Sequence, residues 1–598
     1  MRQDKFEQVL IVLGTLFFSV FGMMAPSAWA QNPTPSIDAL LPVSAHLDDL
    51  GFVLTVRGTG FASSAVVYWQ VGTSTTPLAT TFVTGTELRA RVPALLLKTQ
   101  ATAQITVRNA DVAPGDGISN AQFFSVTIPS PIPIFSPIVL IGAVGGFGFS
   151  SVTGDFNGDG RLDLAICSFG TVSILLGNGN GTFTPSASLK VSTDAYSIAT
   201  GDFNGDGKLD IVVPGDSTVS IFLGNGDGSF TAAPTVTIGE FLYNVVVGDV
   251  NGDGKLDLVV TDLPNEVHTL LGNGDGTFTA SQTTIVGTAS DETQLLKMGD
   301  FNGDGKLDIA VLTLTGEGGA DFAGTATILL GDGTGGFSTK DIFGVGYVYL
   351  AQGDFTSMGV GDFNNDGKLD LAVSGCGASA ACNSLTTTIY LGNGDGTFTT
   401  KSTSPVGGGF MSVGDINGDG RLDLALSSPG GVSLLLGKGD GTFDTLIPAG
   451  GNGFTVSVVM GDFNQDGRLD LAAVTATYSS AMGNVITLLQ QPPSLTPSPA
   501  VVDFLNFPVG VAKVREVTLI NSSSAPVLMA GVTITTPGSA VSDFAAYSLC
   551  PPSLGPGARC KVIVVYFNKP GVVAPTATLN VSYDAFGTPL LVPLRGIW

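Results

Sequence analysis

Nine residues, Asp155-Phe156-Asn157-Gly158-Asp159-Gly160-Arg161-Leu162-Asp163, constrain this chain more than any other stretch, because they return six more times with little change, from Asp202, Asp249, Asp300, Asp362, Asp415 and Asp462. In every copy positions one, five and nine are Asp, three is Asn, six is Gly, seven is Lys or Arg and eight is Leu. The first Asp of successive copies is 47, 47, 51, 62, 53 and 47 residues on from the one before. A period in this range, with four strands per unit, predicts sheets stacked around an axis as blades.

The spacing of the oxygens carries the chemistry. A hard cation such as Ca2+ takes six to eight oxygens at about 2.3 to 2.6 Å, and a tight loop supplies them from positions one, three, five, seven (through its carbonyl) and nine. Gly at position six permits the sharp turn, since glycine alone reaches positive φ at no steric cost. The predicted ligands are Asp155, Asn157, Asp159, Arg161 and Asp163 in the first copy and Asp202, Asn204, Asp206, Lys208 and Asp210 in the second. The third and fourth supply Asp249, Asn251, Asp253, Lys255 and Asp257, then Asp300, Asn302, Asp304, Lys306 and Asp308. The fifth supplies Asp362, Asn364, Asp366, Lys368 and Asp370, the sixth Asp415, Asn417, Asp419, Arg421 and Asp423, and the seventh Asp462, Asn464, Asp466, Arg468 and Asp470. The basic side chains at position seven are expected to point outward.

An EF-hand would place Glu at position twelve, where this chain has Ile166 and Val213. The runs after the loops, 164–166, 211–213 and 258–260, read as buried strands. Turns also use Asp, Asn and Gly, but a turn needs one or two of them, whereas three carboxylates in nine positions repel unless neutralised. About seven Ca2+ ions are therefore expected.

Charge agrees. The 598 residues hold 25 Lys and Arg against 50 Asp and Glu, a formal −25. The motifs contribute 21 Asp and seven Lys or Arg, a net −14, so seven Ca2+ would bring the total to about −11. So acidic a chain lacks the basic face that nucleic acid demands. At 43% hydrophobic it is not disordered either. Gly-rich turns and β-branched runs say all-β.

Taken in order, residues 1–30 read as a secretory signal: Arg2 and Lys5, an apolar core over 9–24, then Ala28-Trp29-Ala30 as the cleavage site. The apolar run is short for an uncleaved anchor, and no later stretch is long and apolar enough to cross a bilayer. Residues 33–128 form a first β-domain with strands near 52–61, 65–69, 87–93, 103–107 and 122–126, at intervals that fit an immunoglobulin-like sandwich. A proline linker at 129–133 leads to the repeats, 134–490. Within a unit one strand ends at the acidic loop, a second leaves it, a third ends in Leu-Leu-Gly or its equivalent, and a fourth follows a Gly-rich turn such as 177–183. That turn occurs six times, and Asn225, Asp227, Asn273 and Asp275 read as turn formers. Because the seventh unit lacks it, the strand at 137–142 should complete that unit and close the ring. A second proline linker, 492–499, precedes a last β-domain, 499–598, with strands near 504–507, 514–521, 560–567 and 577–583.

Three resemblances sharpen this organisation. The order VRGTGF, ELRARVP, ITVRN and FFSV in the first domain resembles the IPT/TIG family, here in the role of a spacer. The seven-copy region resembles the FG-GAP/VCBS repeats, the calcium-bearing propeller of integrin α-subunits and of many bacterial secreted proteins. By that resemblance each acidic loop joins the first and second strands of a blade, on the face opposite the usual ligand face. The last domain is similar to the hydin-like or choice-of-anchor immunoglobulin folds. The expected fold is thus a seven-bladed β-propeller flanked by two immunoglobulin-like β-sandwiches.

Of five cysteines, the spacing pairs Cys376 with Cys382 and Cys550 with Cys560, leaving Cys167 as a buried hydrophobe in a strand. The two histidines, His46 in a polar loop and His268 at a strand start, belong to different domains, no zinc spacing is present, and no catalytic residues are assigned. The loops at 316–324, 375–385 and 477–483 carry extra length, and the first two, on neighbouring units joined by the long connection 341–356, mark the expected ligand surface. The composite predicts a secreted or cell-surface binding module for an extracellular protein or glycan. The alternative is a carbohydrate-active enzyme on the same scaffold, against which stands the absence of Arg and His from those loops.

Overall fold

The computed structural model describes residues 33–597 apart from 47–48, 50, 110–117, 128–132, 137–138, 146–147, 193–194, 289–290, 316–320, 350–356, 376–384, 405–407, 429, 445, 452–453, 477–481, 492–494, 500–501, 506–510, 522–526, 536–543, 556, 568–575 and 584–589. The expected signal at 1–30, the Cys376–Cys382 pair and most of the three long loops lie outside the described residues. Among the described residues the chain is all-β, its one helical element a 3-10 turn at Ala94–Leu97, and no helix is long and apolar enough to cross a membrane.

The strands follow from two patterns of apolar residues. In Glu87–Pro93 Leu88, Ala90 and Val92 are buried while Arg89 and Arg91 face out, the alternation of a sheet with one wet face. The strands that leave the acidic loops, such as Asp163–Ser168 and Asp210–Gly215, are buried at every position, so both their faces are covered.

The N-terminal unit has two sheets. One orders Ser36–Leu41, Gly51–Thr59, Glu87–Pro93 and Ala79–Thr84; the other orders Ser44–His46, Gln122–Thr127, Ala101–Arg108, Val66–Val71 and Ser74–Pro77. A single core around Leu54, Trp69, Leu88, Ile105 and Phe124 fills the space between them. His46, expected in a loop, instead ends a short strand paired in parallel with Ser125–Thr127.

Among the described residues seven antiparallel sheets follow. In the first, Gly148–Gly154, Asp163–Ser168, Thr171–Gly177 and Phe183–Lys190 lie side by side in sequence order. The last sheet orders Val139–Gly145, Met482–Leu488, Asp470–Ala476 and Phe454–Gly461, with Val139 opposite Thr487 and Gly145 opposite Met482. This is the pairing that the strand count calls for. The first strands touch in cyclic order, Gly148–Gly154 meeting both Ala199–Gly201 and Phe454–Gly461. Apolar clusters lie between consecutive sheets, and the one that joins the last to the first contains Leu164 and Ile166 with Val474 and Val485.

Two boundaries differ from expectation. Residues 321–324 and 341–349, read as loop because they exceed the length of the repeat, are strand: Asp321–Gly331 and Phe337–Tyr349 extend the fourth sheet well past its neighbours. The last unit begins before 499, since Leu495–Ser498 pairs with the end of Ala512–Asn521; Pro497 is accommodated because that strand lies at a sheet edge. Its two sheets enclose Phe504, Phe544, Val562 and Tyr566, and Cys550 is bonded to Cys560 as expected. Cys167 is a buried free thiol that burial pushes up to about 12.

Candidate metal centre

Each nine-residue loop joins the first and second strands of a sheet and is wound by glycine at two positions. At position six φ runs from +79° at Gly160 to +87° at Gly254. Position four also lies in the left-handed region, at Gly158 (+72°) and, without glycine, at Asn365 and Gln465 (both +58°). The sequence reading missed this second requirement; the shared Gly at position four in five copies was its signal.

The winding turns backbone N–H groups inward, where they collect side-chain oxygens. In the first loop the Asp159 N–H donates to both Asp155 Oδ1 (3.1 Å) and Asn157 Oδ1 (2.9 Å), and the Gly160 N–H donates to Asp155 Oδ2 (2.8 Å). All seven loops repeat this arrangement, with closely similar distances at Asp206, Asp253, Asp304, Asp366, Asp419 and Asp466. Positions one, three and five are thereby brought together. The residue at position seven donates its N–H to the Asp at five, as Arg161 does to Asp159 at 2.9 Å. Its side chain does not simply point away: Lys208 Nζ lies 3.0 Å from Asp206 Oδ2, and Arg161, Lys306, Arg421 and Arg468 approach their own position-five carboxylates at 3.6 to 3.8 Å.

The aspartate at position nine is fully buried and holds two segments together. Asp163 accepts from the Phe156 N–H (2.8 Å) and from the Gly177 N–H that ends the third strand (2.7 Å). Asp210, Asp257, Asp308, Asp370, Asp423 and Asp470 repeat the pair of contacts, the last with Gln490 where the others have glycine. The glycine is required for space, because a Cβ on Gly177 would lie 2.1 Å from the Leu162 carbonyl oxygen.

These aspartates are short of positive charge. Burial, reinforced by the aspartates at positions one and five, raises Asp163 to about 6 and Asp210, Asp257, Asp308 and Asp370 to about 7. Asp423 and Asp470 are raised well above the usual range for the same reasons. A carboxyl raised by burial and by two carboxylates beside it sits in a negative field that a cation would relieve. All-oxygen donors in such a field fit a hard divalent cation.

The Gly-rich turns do something else. The Asn225 and Asp227 side chains bond Ser229, and those of Asn273 and Asp275 bond Thr277, as turn formers should. Five of the six turns also reach the preceding sheet: Gly228 N–H donates to the Phe156 carbonyl at 3.1 Å while Phe230 packs edge-on against Phe156 at 5.8 Å. The same double contact joins Phe203 to Phe278, Phe301 to Phe398, Phe363 to Phe443 and, across the ring closure, Phe463 to Phe183. The aromatic at position two was therefore a packing signal that the ligand count had passed over.

The N-terminal unit covers the loop end of the sheets. The Thr34 N–H donates to Asp249 Oδ2 at 2.7 Å, Ser44 bonds Asp415, Arg57 Nη1 donates to the Gly367 carbonyl, and the Asp300 N–H reaches Asp38 Oδ2 at 3.4 Å. A cavity of about 130 Å³ between the two is lined by Asp38, Phe123, Asp362, Asp415 and Met460 among others. Cover is uneven: Asp415 and Asn417 are 5% and 4% exposed, whereas Gly207 in the second loop has open space beside it.

At the opposite end of the sheets an aromatic group assembles from three units. Tyr196 stacks on Tyr243 with ring centroids 4.9 Å apart and is flanked by Phe169 and Phe241, each at 6.2 Å; Phe169 is 46% exposed. No spacing in the sequence could have joined residues so far apart.

A family model for the FG-GAP-like repeat matches residues 155–213, 202–260, 249–311, 378–426 and 415–473. One for the IPT/TIG domain matches 35–126. No curated protein matches the chain. Similar solved structures include an Agrocybe aegerita lectin described as recognising non-reducing terminal N-acetylglucosamine, 19% identical, with 64% of this chain and 96% of that one covered and a TM-score of 0.36. A Lactobacillus plantarum protein is 12% identical over 66% and 98% of the two chains, with a TM-score of 0.37. A putative 6-phosphogluconolactonase of Bacteroides fragilis is 15% identical over 66% and 97%, with a TM-score of 0.39.

Proposed function

Because the chain is an FG-GAP repeat protein with an IPT/TIG domain ahead of the repeats, we propose that it is a calcium-binding seven-bladed β-propeller flanked by two immunoglobulin-like sandwiches, acting as an exported binding module. The observation that carries this reading is the sevenfold recurrence of an all-oxygen loop whose ninth aspartate is buried, its carboxyl pushed up by that burial and by the aspartates at positions one and five. About seven Ca2+ would be held by the side chains at positions one, three, five and nine and the carbonyl at seven. Their charge would offset the aspartates and stiffen the link between first and second strands.

With one end of the ring covered by the IPT/TIG domain, binding falls to the other end. The Phe169, Tyr196, Phe241 and Tyr243 group supplies rigid, amphipathic surface of the kind that interfaces use, and its partner would be an extracellular protein or glycan. Glycan and protein arrays probed in calcium and again in chelator test this, with release of reducing ends assayed in parallel. Calcium-dependent capture without chain cleavage is expected; release of new ends would replace the binding module with an enzyme.

A further inference from the structure

Away from the nine-residue loops, Asp262, Glu266 and His268 come together at the far end of the third sheet. They sit on one hairpin: Asp262 pairs directly opposite Glu266, and His268 follows two residues later on the same face. His268 Nε2 lies 3.2 Å from Asp262 Oδ2 and 3.5 Å from Glu266 Oε2, and the three donor atoms all fall within 4.8 Å of one another. We propose that these residues form a second class of metal site, for a borderline first-row divalent cation such as Zn2+ rather than for calcium.

The donor set separates it from the loops. One imidazole nitrogen with two carboxylates suits zinc and its neighbours, whereas a hard cation prefers oxygen alone. The supporting contacts are in place as well. His268 Nδ1 lies 2.8 Å from Thr283 Oγ1, so with Nδ1 protonated the Nε2 lone pair is turned toward the carboxylates. Asp262 Oδ1 accepts from the Phe241 N–H at 2.7 Å, and Glu240 N–H lies 3.1 Å from Oδ2, which fixes the carboxylate. Asp262 and His268 are buried, while the Glu266 side chain, 39% exposed, leaves an entry path. Three protein donors leave a coordination position for water or an oxygen of a bound ligand. Because Phe241 belongs to the aromatic group, that position lies beside the proposed binding surface.

The test is Zn2+ calorimetry, with Co2+ absorption as the spectroscopic readout, on the full chain kept in excess calcium so that the loops are filled. One additional ion per chain is expected in the wild type. His268→Gln and Glu266→Gln should each weaken it by at least about tenfold with calcium content unchanged, and His268→Gln should also remove the imidazole-dependent Co2+ bands. Equal Zn2+ uptake by wild type and both variants, or no uptake by the wild type in excess calcium, would overturn the assignment. Neither result bears on whether the module binds glycans.

Discussion

The acidic loops and the Gly-rich turns use the same three residue types, Asp, Asn and Gly, yet they differ physically. Asp227 and Asp275 in the turns are held below the usual carboxylate range by hydroxyl and backbone donors of Ser229 and Thr277. Asp210 and Asp257 in the loops are pushed up to about 7 by burial and by neighbouring carboxylates. A turn supplies a donor for each of its charges, whereas a loop gathers more charge than its donors can answer. Composition is blind to that difference; the balance of donors and burial exposes it.

Calcium removal should give the largest effect and fall on the loops, not on the turns. With calcium at about 10 to 100 times a site's dissociation constant, each ion adds about 1.4 to 2.7 kcal/mol. Chelation should therefore lower the melting temperature by at least about 10 °C, and a scanning calorimetry trace that does not move would break the distinction. Next in size are single substitutions. Asp163→Ala strands the amides of Phe156 and Gly177 in a dry interior and should cost about 2 to 4 kcal/mol in chelator and more in calcium, where a ligand is lost as well, whereas Asp227→Ala, at the surface, should barely change the denaturation midpoint.

The acidity of the two regions also runs in opposite directions. Folded values of about 6 to 7 against about 3.9 in the unfolded chain mean that the metal-free loops bind more protons when folded. Their stability is complete below the unfolded value and is lost as pH rises through 6 to 7. The turn aspartates, lowered on folding, lose theirs as pH falls below about 4. Chelated protein should thus melt at a higher temperature at pH 6 than at pH 8, and calcium should raise the melting temperature most at pH 8. The smallest expected effect separates covered from open loops. Ser44→Ala should weaken calcium in the sixth loop by about threefold through one lost hydrogen bond and leave the second loop unchanged, which calorimetry would read as a single weakened class.

The sequence displayed the repeat, the strands that leave each loop, the closing strand and the Cys550–Cys560 bond, because each is written in local spacing. It concealed what depends on distant neighbours. The bond from Asp163 to Gly177 and the Phe156–Phe230 contact between sheets are visible only once the ring is assembled. The cover that Thr34, Ser44 and Arg57 place over the loops joins residues hundreds of positions apart. Strands such as Ala79–Thr84 escaped because their exposed threonines carry no apolar alternation, and the start of Asp321–Gly331 because it exceeds the length of the repeat.

Anomalous scattering from crystals grown in calcium tests the central claim most directly. An ion at each of the seven loops is predicted, with side-chain oxygens of positions one, three, five and nine and the carbonyl of position seven at about 2.3 to 2.6 Å. Loops that hold water alone at saturating calcium, their aspartates answered by protons or by the position-seven side chains, would contradict it.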